Sequence, residues 1–253
     1  MLYTGPSMLT GAPIVAVATI GTRNRKTGPM VQTWVLPAST TPTHAVRTGR
    51  DASVCGDCPH RGVAGARRTC YVVVAQAPQA VWRAWTRDRY VPADDAAWSR
   101  AVRGRAVRIG SYGDPAAVPP QVWSDLLASS GSGRWTGYTH AWRGYGLLPR
   151  TDARRLRDLV MASCDSVSDA AEAAADGWRA FIVRDAAELG ADLGAGVGPT
   201  VVCPASPEGG DRSTCERCAL CAGASARTAA TRRQVPTGWV PRLVVRDAEE
   251  EQP

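Results

Sequence analysis

The chain has 253 residues, with 30 Lys and Arg against 23 Asp and Glu, a formal net charge of +7 and 44% hydrophobic residues. That length suits one large α/β domain or two small ones, and the apolar content is enough for a real core. No apolar run approaches the roughly 20 residues of a membrane span, so no membrane partner is expected.

The positive charge permits an anionic partner such as nucleic acid, but charge alone speaks only to solubility and encounter. Lys26 is the only Lys, and the Arg excess beside Ala-rich segments has the look of GC-rich coding bias. Met8–Ile20 is apolar but is broken by Gly11 and Pro13, with no basic stretch before it, so no export signal is read. A cytoplasmic chain is therefore expected. There thiols stay reduced, and clustered cysteines suggest metal rather than disulfides.

In chain order, Ile14–Thr19 and Met30–Leu36 read as strands. Residues 37–70 read as one long loop, which in a compact domain is usually functional or disordered, and the clustered cysteines favour the first. Pro78 opens a helix with Val81, Trp82 and Trp85 on its buried side, and Asp94-Asp95 open another through Val102. Ala106–Gly110 is a strand ending in Ser111-Tyr112-Gly113-Asp114, followed by a helix over Pro120–Ser129. Arg134–Thr139 is a strand closing at His140, and Leu159–Ala162 is one closing at Ser163-Cys164-Asp165. Ser166 then caps a helix that Gly177 stops. Trp178–Val183 and Thr200–Val202 complete the set.

About six strands alternate with helices, which predicts an α/β fold: a partial (β/α) barrel-like parallel sheet with long cysteine-bearing loops at the C-terminal ends of strands. The division is an α/β domain over 1–205, a four-Cys module over 203–224 and a flexible tail over 225–253. Both cysteine groups follow a strand, so both are expected on one rim of the sheet.

Seven of the eight cysteines fall in two knots. The second, Cys203, Cys215, Cys218 and Cys221, has the spacing C-x11-C-x2-C-x2-C. Three thiols two residues apart can wrap one face of an iron–sulfur cubane, with the Cys203-Pro204 pair as the fourth corner. Zinc is the alternative, although its Cys₄ sites prefer two separated knuckles. The first knot, Cys55, Cys58 and Cys70, has three thiols and so leaves a metal position open, unless His60 completes a Cys₃His zinc site. Cys164 reads as a buried filler, and the Trp residues as packing. Asp114 can hold a ligand amine or simply cap a turn. His140 can serve as an acid or base, and Asp165 stands where a strand meets a helix.

Three thiols in a loop after a strand, the last in a Cys70-Tyr71 pair, resemble the cluster loop of radical SAM enzymes. The wider set of motifs resembles an actinobacteriophage family, the mycobacteriophage "gene product 88" group, a divergent radical-SAM-like family. Its pieces are Lys26-Thr27-Gly28-Pro29, Leu36-Pro37, the cysteine loop, Val107-Arg108 with Gly113-Asp114, Tyr138-Thr139-His140, Ala162-Ser163 with Asp165, and the final cysteines. The resemblance implies a [4Fe–4S] cluster on Cys55, Cys58 and Cys70 with S-adenosylmethionine on its open iron. It also implies an auxiliary cluster on the second knot. Tyr71, Ser111, Gly113, Asp114 and Tyr138 would line the cofactor, with Asp114, His140 and Asp165 as catalytic groups. The substrate is unknown, and host cytoplasm is the expected compartment. The alternative is a zinc-stabilised nucleic-acid-binding or interaction protein.

Overall fold

The computed structural model describes residues 1–22, 24–62, 67–93, 96–184, 200–224 and 240–244. Among the described residues, nine strands form one sheet in the order β1-β2-β3-β4-β5-β6-β7-β9-β8. They are β1 (Tyr3–Pro6), β2 (Pro13–Thr19), β3 (Val31–Pro37), β4 (Val107–Tyr112), β5 (Trp135–Thr139), β6 (Met161–Cys164), β7 (Ala180–Arg184), β8 (Thr200–Val202) and β9 (Val240–Val244). β1, β2 and β3 are antiparallel, and every pairing from β3 onward is parallel. The chain is thus an α/β protein with a mostly parallel sheet.

The helices are α1 (Pro42–Thr48), α2 (Ala52–Cys55), α3 (Ala77–Trp85), α4 (Ala96–Val102), α5 (Pro120–Ser130), α6 (Arg150–Ala153), α7 (Val167–Ala175) and α8 (Cys215–Cys218). Parallel strands need crossovers, and α5, α6 and α7 occupy those from β4 to β5, β5 to β6 and β6 to β7. Their local signals are those of the sequence. Pro120 begins α5 and Gly131 ends it in the left-handed conformation. Ser166 caps α7 by accepting the Asp169 N–H at 3.0 Å.

The main core gathers Val31, Val35, Val107, Ile109, Trp123, Trp142 and Ile182. Trp98, Trp123, Trp142 and Trp178 are buried, so these four Trp pack. Cys164 is buried in the same cluster as a filler.

Three expectations change. The 37–70 loop contains α1 and α2, and a buried pair pins it: Arg61 Nη2 donates to the Asp51 carboxylate and to the Gly49 carbonyl. The 225–253 tail contains β9, which lies between β7 and β8. Pro241 inside that run masks its strand character in the sequence, because proline lacks a ladder donor. The third change concerns the rim. Cys203, Ala205 and Cys215 form a buried cluster with Met30 and Ala106, the residues just before β3 and β4. The second knot therefore packs at the N-terminal ends of those strands, opposite the end that carries the first knot. Asp94-Asp95 and the rest of the tail lie outside the described residues.

Candidate metal centres

The first knot stands where β4, β5 and β6 end. Asp114, after β4, takes the Val54 carbonyl through its own N–H, and so holds α2 and Cys55 against the sheet. Its carboxylate is buried and fully engaged. Oδ1 accepts the Thr139 hydroxyl at 2.6 Å and the Ala116 N–H at 2.8 Å, and Oδ2 accepts the His140 N–H at 2.8 Å. Burial pushes the Asp114 carboxyl up, and these bonds oppose the shift. Asp114 is a positioning group, and a ligand amine would have to displace one of its bonds.

His140 and Asp165 come together, and His60 joins them. Asp165 Oδ1 lies 2.9 Å from His60 Nε2 and 3.7 Å from His140 Nε2. Cys58 Sγ lies 3.9 Å from His140 Nε2. Burial works against charge on His140, but Asp165 and Cys58 outweigh it and raise its pKa to about 10. The two imidazoles hold Asp165 well below the usual carboxylate range, although burial opposes them.

Burial pushes the Cys55 and Cys70 thiols up. Each also feels the charge of Cys58, so the three thiols face one region. Without a cation, mutual repulsion and burial keep such thiols protonated, and metal binding removes both penalties.

The second knot is a loop folded under the sheet. Its anchors are the Cys215 N–H to the Lys26 carbonyl at 2.8 Å and the Glu216 N–H to the Thr27 carbonyl at 3.1 Å. The Gly137 N–H donates to the Cys221 carbonyl at 3.0 Å, and Arg179 donates to the carbonyls of Leu220 and Ala222. The 26–29 segment of the sequence motif is thus the cradle of Cys215. All four thiols line one cavity, with Thr136 and Leu220 beside them. Burial raises the pKa of Cys215, Cys218 and Cys221. Among the described residues no three thiol sulfurs lie within 4.8 Å of one another; the group that does is His60, His140 and Asp165.

The five residues expected around a cofactor divide between the two centres. Tyr138 stacks on Phe181 with ring centroids 4.3 Å apart and bonds the Cys221 thiol, which places it at the second knot. Ser111 donates to Gln32 Oε1 at 2.5 Å, and Gln32 Nε2 donates to Thr27 Oγ1 at 3.2 Å, so Ser111 leads toward the Cys215 cradle. Gly113 has φ +78°, and a Cβ there would stand 2.6 Å from the Val35 carbonyl oxygen, so backbone geometry demands glycine. Tyr71 is exposed and accepts a hydrogen bond from Arg108 Nη2 at 2.7 Å.

Arg108 is the residue that strand reading passed over. It lies on β4 and reaches Tyr71, next to Cys70, while Tyr138 and Cys215 add to the raising of its pKa against burial. It therefore stands between the two knots. An Arg inside an otherwise apolar strand was the available signal. Compared with protein-family models, curated proteins and solved structures, the chain matches none.

Proposed function

We propose that the chain is an iron–sulfur enzyme of the radical-SAM-like kind, with a catalytic centre on Cys55, Cys58 and Cys70 and an auxiliary centre on Cys203, Cys215, Cys218 and Cys221. The observation that carries this reading is the second knot. Four thiols brought from two parts of the loop line one cavity, and a reduced four-thiol set is a metal-binding donor set.

In this reading the protein's own residues divide the work. Cys55, Cys58 and Cys70 hold the first centre and leave one coordination position open. Such a centre, when loaded, supplies one electron to a bound sulfonium such as S-adenosylmethionine. Asp114 fixes the backbone of His140 beside Cys58, and His140 with Asp165 lines the mouth where a substrate would enter. Arg108 offsets negative charge between the centres and, through Tyr71, ties the first loop to β4.

The basic residues give less support to a nucleic-acid partner, because Arg143, Arg150 and Arg154 are paired with Asp169, Glu172 and Asp176 along α7. The test is EPR of the reduced protein with and without S-adenosylmethionine. A change in the signal on adding the ligand, lost in Cys58→Ser, supports the reading. A signal indifferent to the ligand counts against it.

A further inference from the structure

Beside Cys58 of the first knot, three side chains outside the thiol set converge on one point. His60 Nε2, His140 Nε2 and Asp165 Oδ1 are within 2.9 to 3.7 Å across the two contacts that Asp165 makes. One ligand atom from each of the three residues falls within 4.8 Å of the others. We propose that His60, His140 and Asp165 bind one divalent transition-metal ion beside the first thiol set, whose Cys58 Sγ lies 3.9 Å from His140 Nε2. This stands on the geometry of the three residues and does not rest on the thiols holding iron–sulfur clusters.

Donors about 2.1 Å from a shared ion stand about 3.0 Å apart at a right angle and about 3.4 Å apart at the tetrahedral angle. The observed separations of 2.9 and 3.7 Å bracket those values. Two imidazoles and one carboxylate form a donor set that suits zinc or ferrous iron and leaves positions open to other ligands.

Each ligand is held from behind. His60 Nδ1 lies 2.9 Å from the Thr69 hydroxyl. The His60 Nε2–H contact with Asp165 Oδ1 is one that a divalent ion would replace, with Nδ1–H then donating to the Thr69 hydroxyl. Metal-ligating histidines characteristically use their second nitrogen in this way. The His140 backbone is fixed by Asp114, and Asp165 directly precedes the Ser166 cap of α7. The two imidazole rings meet edge to face at 5.7 Å, which lets both nitrogens approach one oxygen. The side chains of His60, His140 and Asp165 are 24%, 21% and 34% exposed, so an ion can enter from solvent.

The test is a Co²⁺ titration of anaerobically purified protein with its thiolate centres as isolated, read by weak visible bands without thiolate charge transfer. Wild type is expected to take up one equivalent. His60→Ala and Asp165→Asn should bind at least about tenfold more weakly, and Thr69→Val about tenfold more weakly. Iron, sulfide and melting temperature should stay at wild-type values in all three. Equal Co²⁺ affinity in wild type and both ligand variants would overturn the proposal. So would loss of thiolate-bound metal from His60→Ala and Asp165→Asn, because the three residues would then only buttress the first centre. Cys218→Ser keeps the two ideas apart: it should retain the Co²⁺ site even if the second knot loses its metal.

Discussion

The carboxylate of Asp114, just after β4, accepts the backbone N–H of His140, just after β5, at 2.8 Å. One strand end thereby sets the position of the group beside Cys58 on the next. Asp114→Ala would leave the Thr139 hydroxyl and the His140 N–H without their partner. With the Ala116 N–H also left unpaired, a cost of at least about 3 kcal/mol is expected, at about 1–3 kcal/mol for each buried unsatisfied group. Urea unfolding midpoints measure it, and a loss under about 0.5 kcal/mol would contradict the positioning role.

Asp51 is wholly buried, and its partner Arg61 is nearly so. Their contact ties the Pro59–Arg61 turn to the start of α2. Removing one member strands the other, so Asp51→Ala should cost about 3–5 kcal/mol. The double variant Asp51→Ala with Arg61→Ala should lose less than the sum of the singles. Thermal melts of wild type and the three variants decide it; strict additivity would mean that the pair is not coupled.

Arg143 joins the turn after β5 to α7, donating to Asp169 and Glu172 and lying 3.8 Å from the centroid of the Trp142 ring. Burial raises the Asp169 pKa, but hydrogen bonds from Arg143 and Ser166 more than offset it and leave the group below its ordinary value. The charged form is thus favoured by folding. Its stabilisation is full above about pH 3.9 and is lost as pH falls through the lower folded value. The pair is largely exposed, so Arg143→Ala should cost only a few tenths of a kcal/mol near neutrality from this contact. The gap between wild type and variant should narrow toward pH 3, leaving the Trp142 contact. Urea midpoints at neutral and acid pH check the sign, and a gap that widens on acidification would contradict it.

Arg108 carries a positive charge close to Cys215 and Tyr71. If the second knot holds a cluster, Arg108→Gln removes a cation that favours the reduced state. Its reduction potential should fall by on the order of tens of millivolts. An EPR-monitored redox titration measures this, and an unchanged or higher potential would contradict the placement of the charge.

The sequence made the parallel α/β order legible because apolar runs and caps repeat at the right spacing. Ser166 and Gly177 bracket α7 as read, and β8 is Thr200–Val202 as read. Asp114, His140 and Asp165 were each legible as a polar residue just past a parallel strand, but their meeting with one another and with His60 was not. Tyr3–Pro6 was missed as a strand, since four residues with Gly and Pro carry no period. The position of the second knot was not legible. Its cysteines follow β8 in the chain, but backbone bonds to Lys26, Thr27 and Gly137 carry the loop to the other end of the sheet. Such long-range anchors leave no local pattern. The same holds for Arg108, whose partners Tyr71 and Cys215 are remote in sequence.

The central claim is that the two thiol knots hold iron–sulfur clusters. Anaerobic purification followed by iron, zinc and acid-labile sulfide analysis, with an absorbance spectrum, tests it most directly. The account predicts brown protein with iron and sulfide in equal amounts, and loss of part of both in Cys218→Ser. Colourless protein with stoichiometric zinc at the thiols and no sulfide would contradict it.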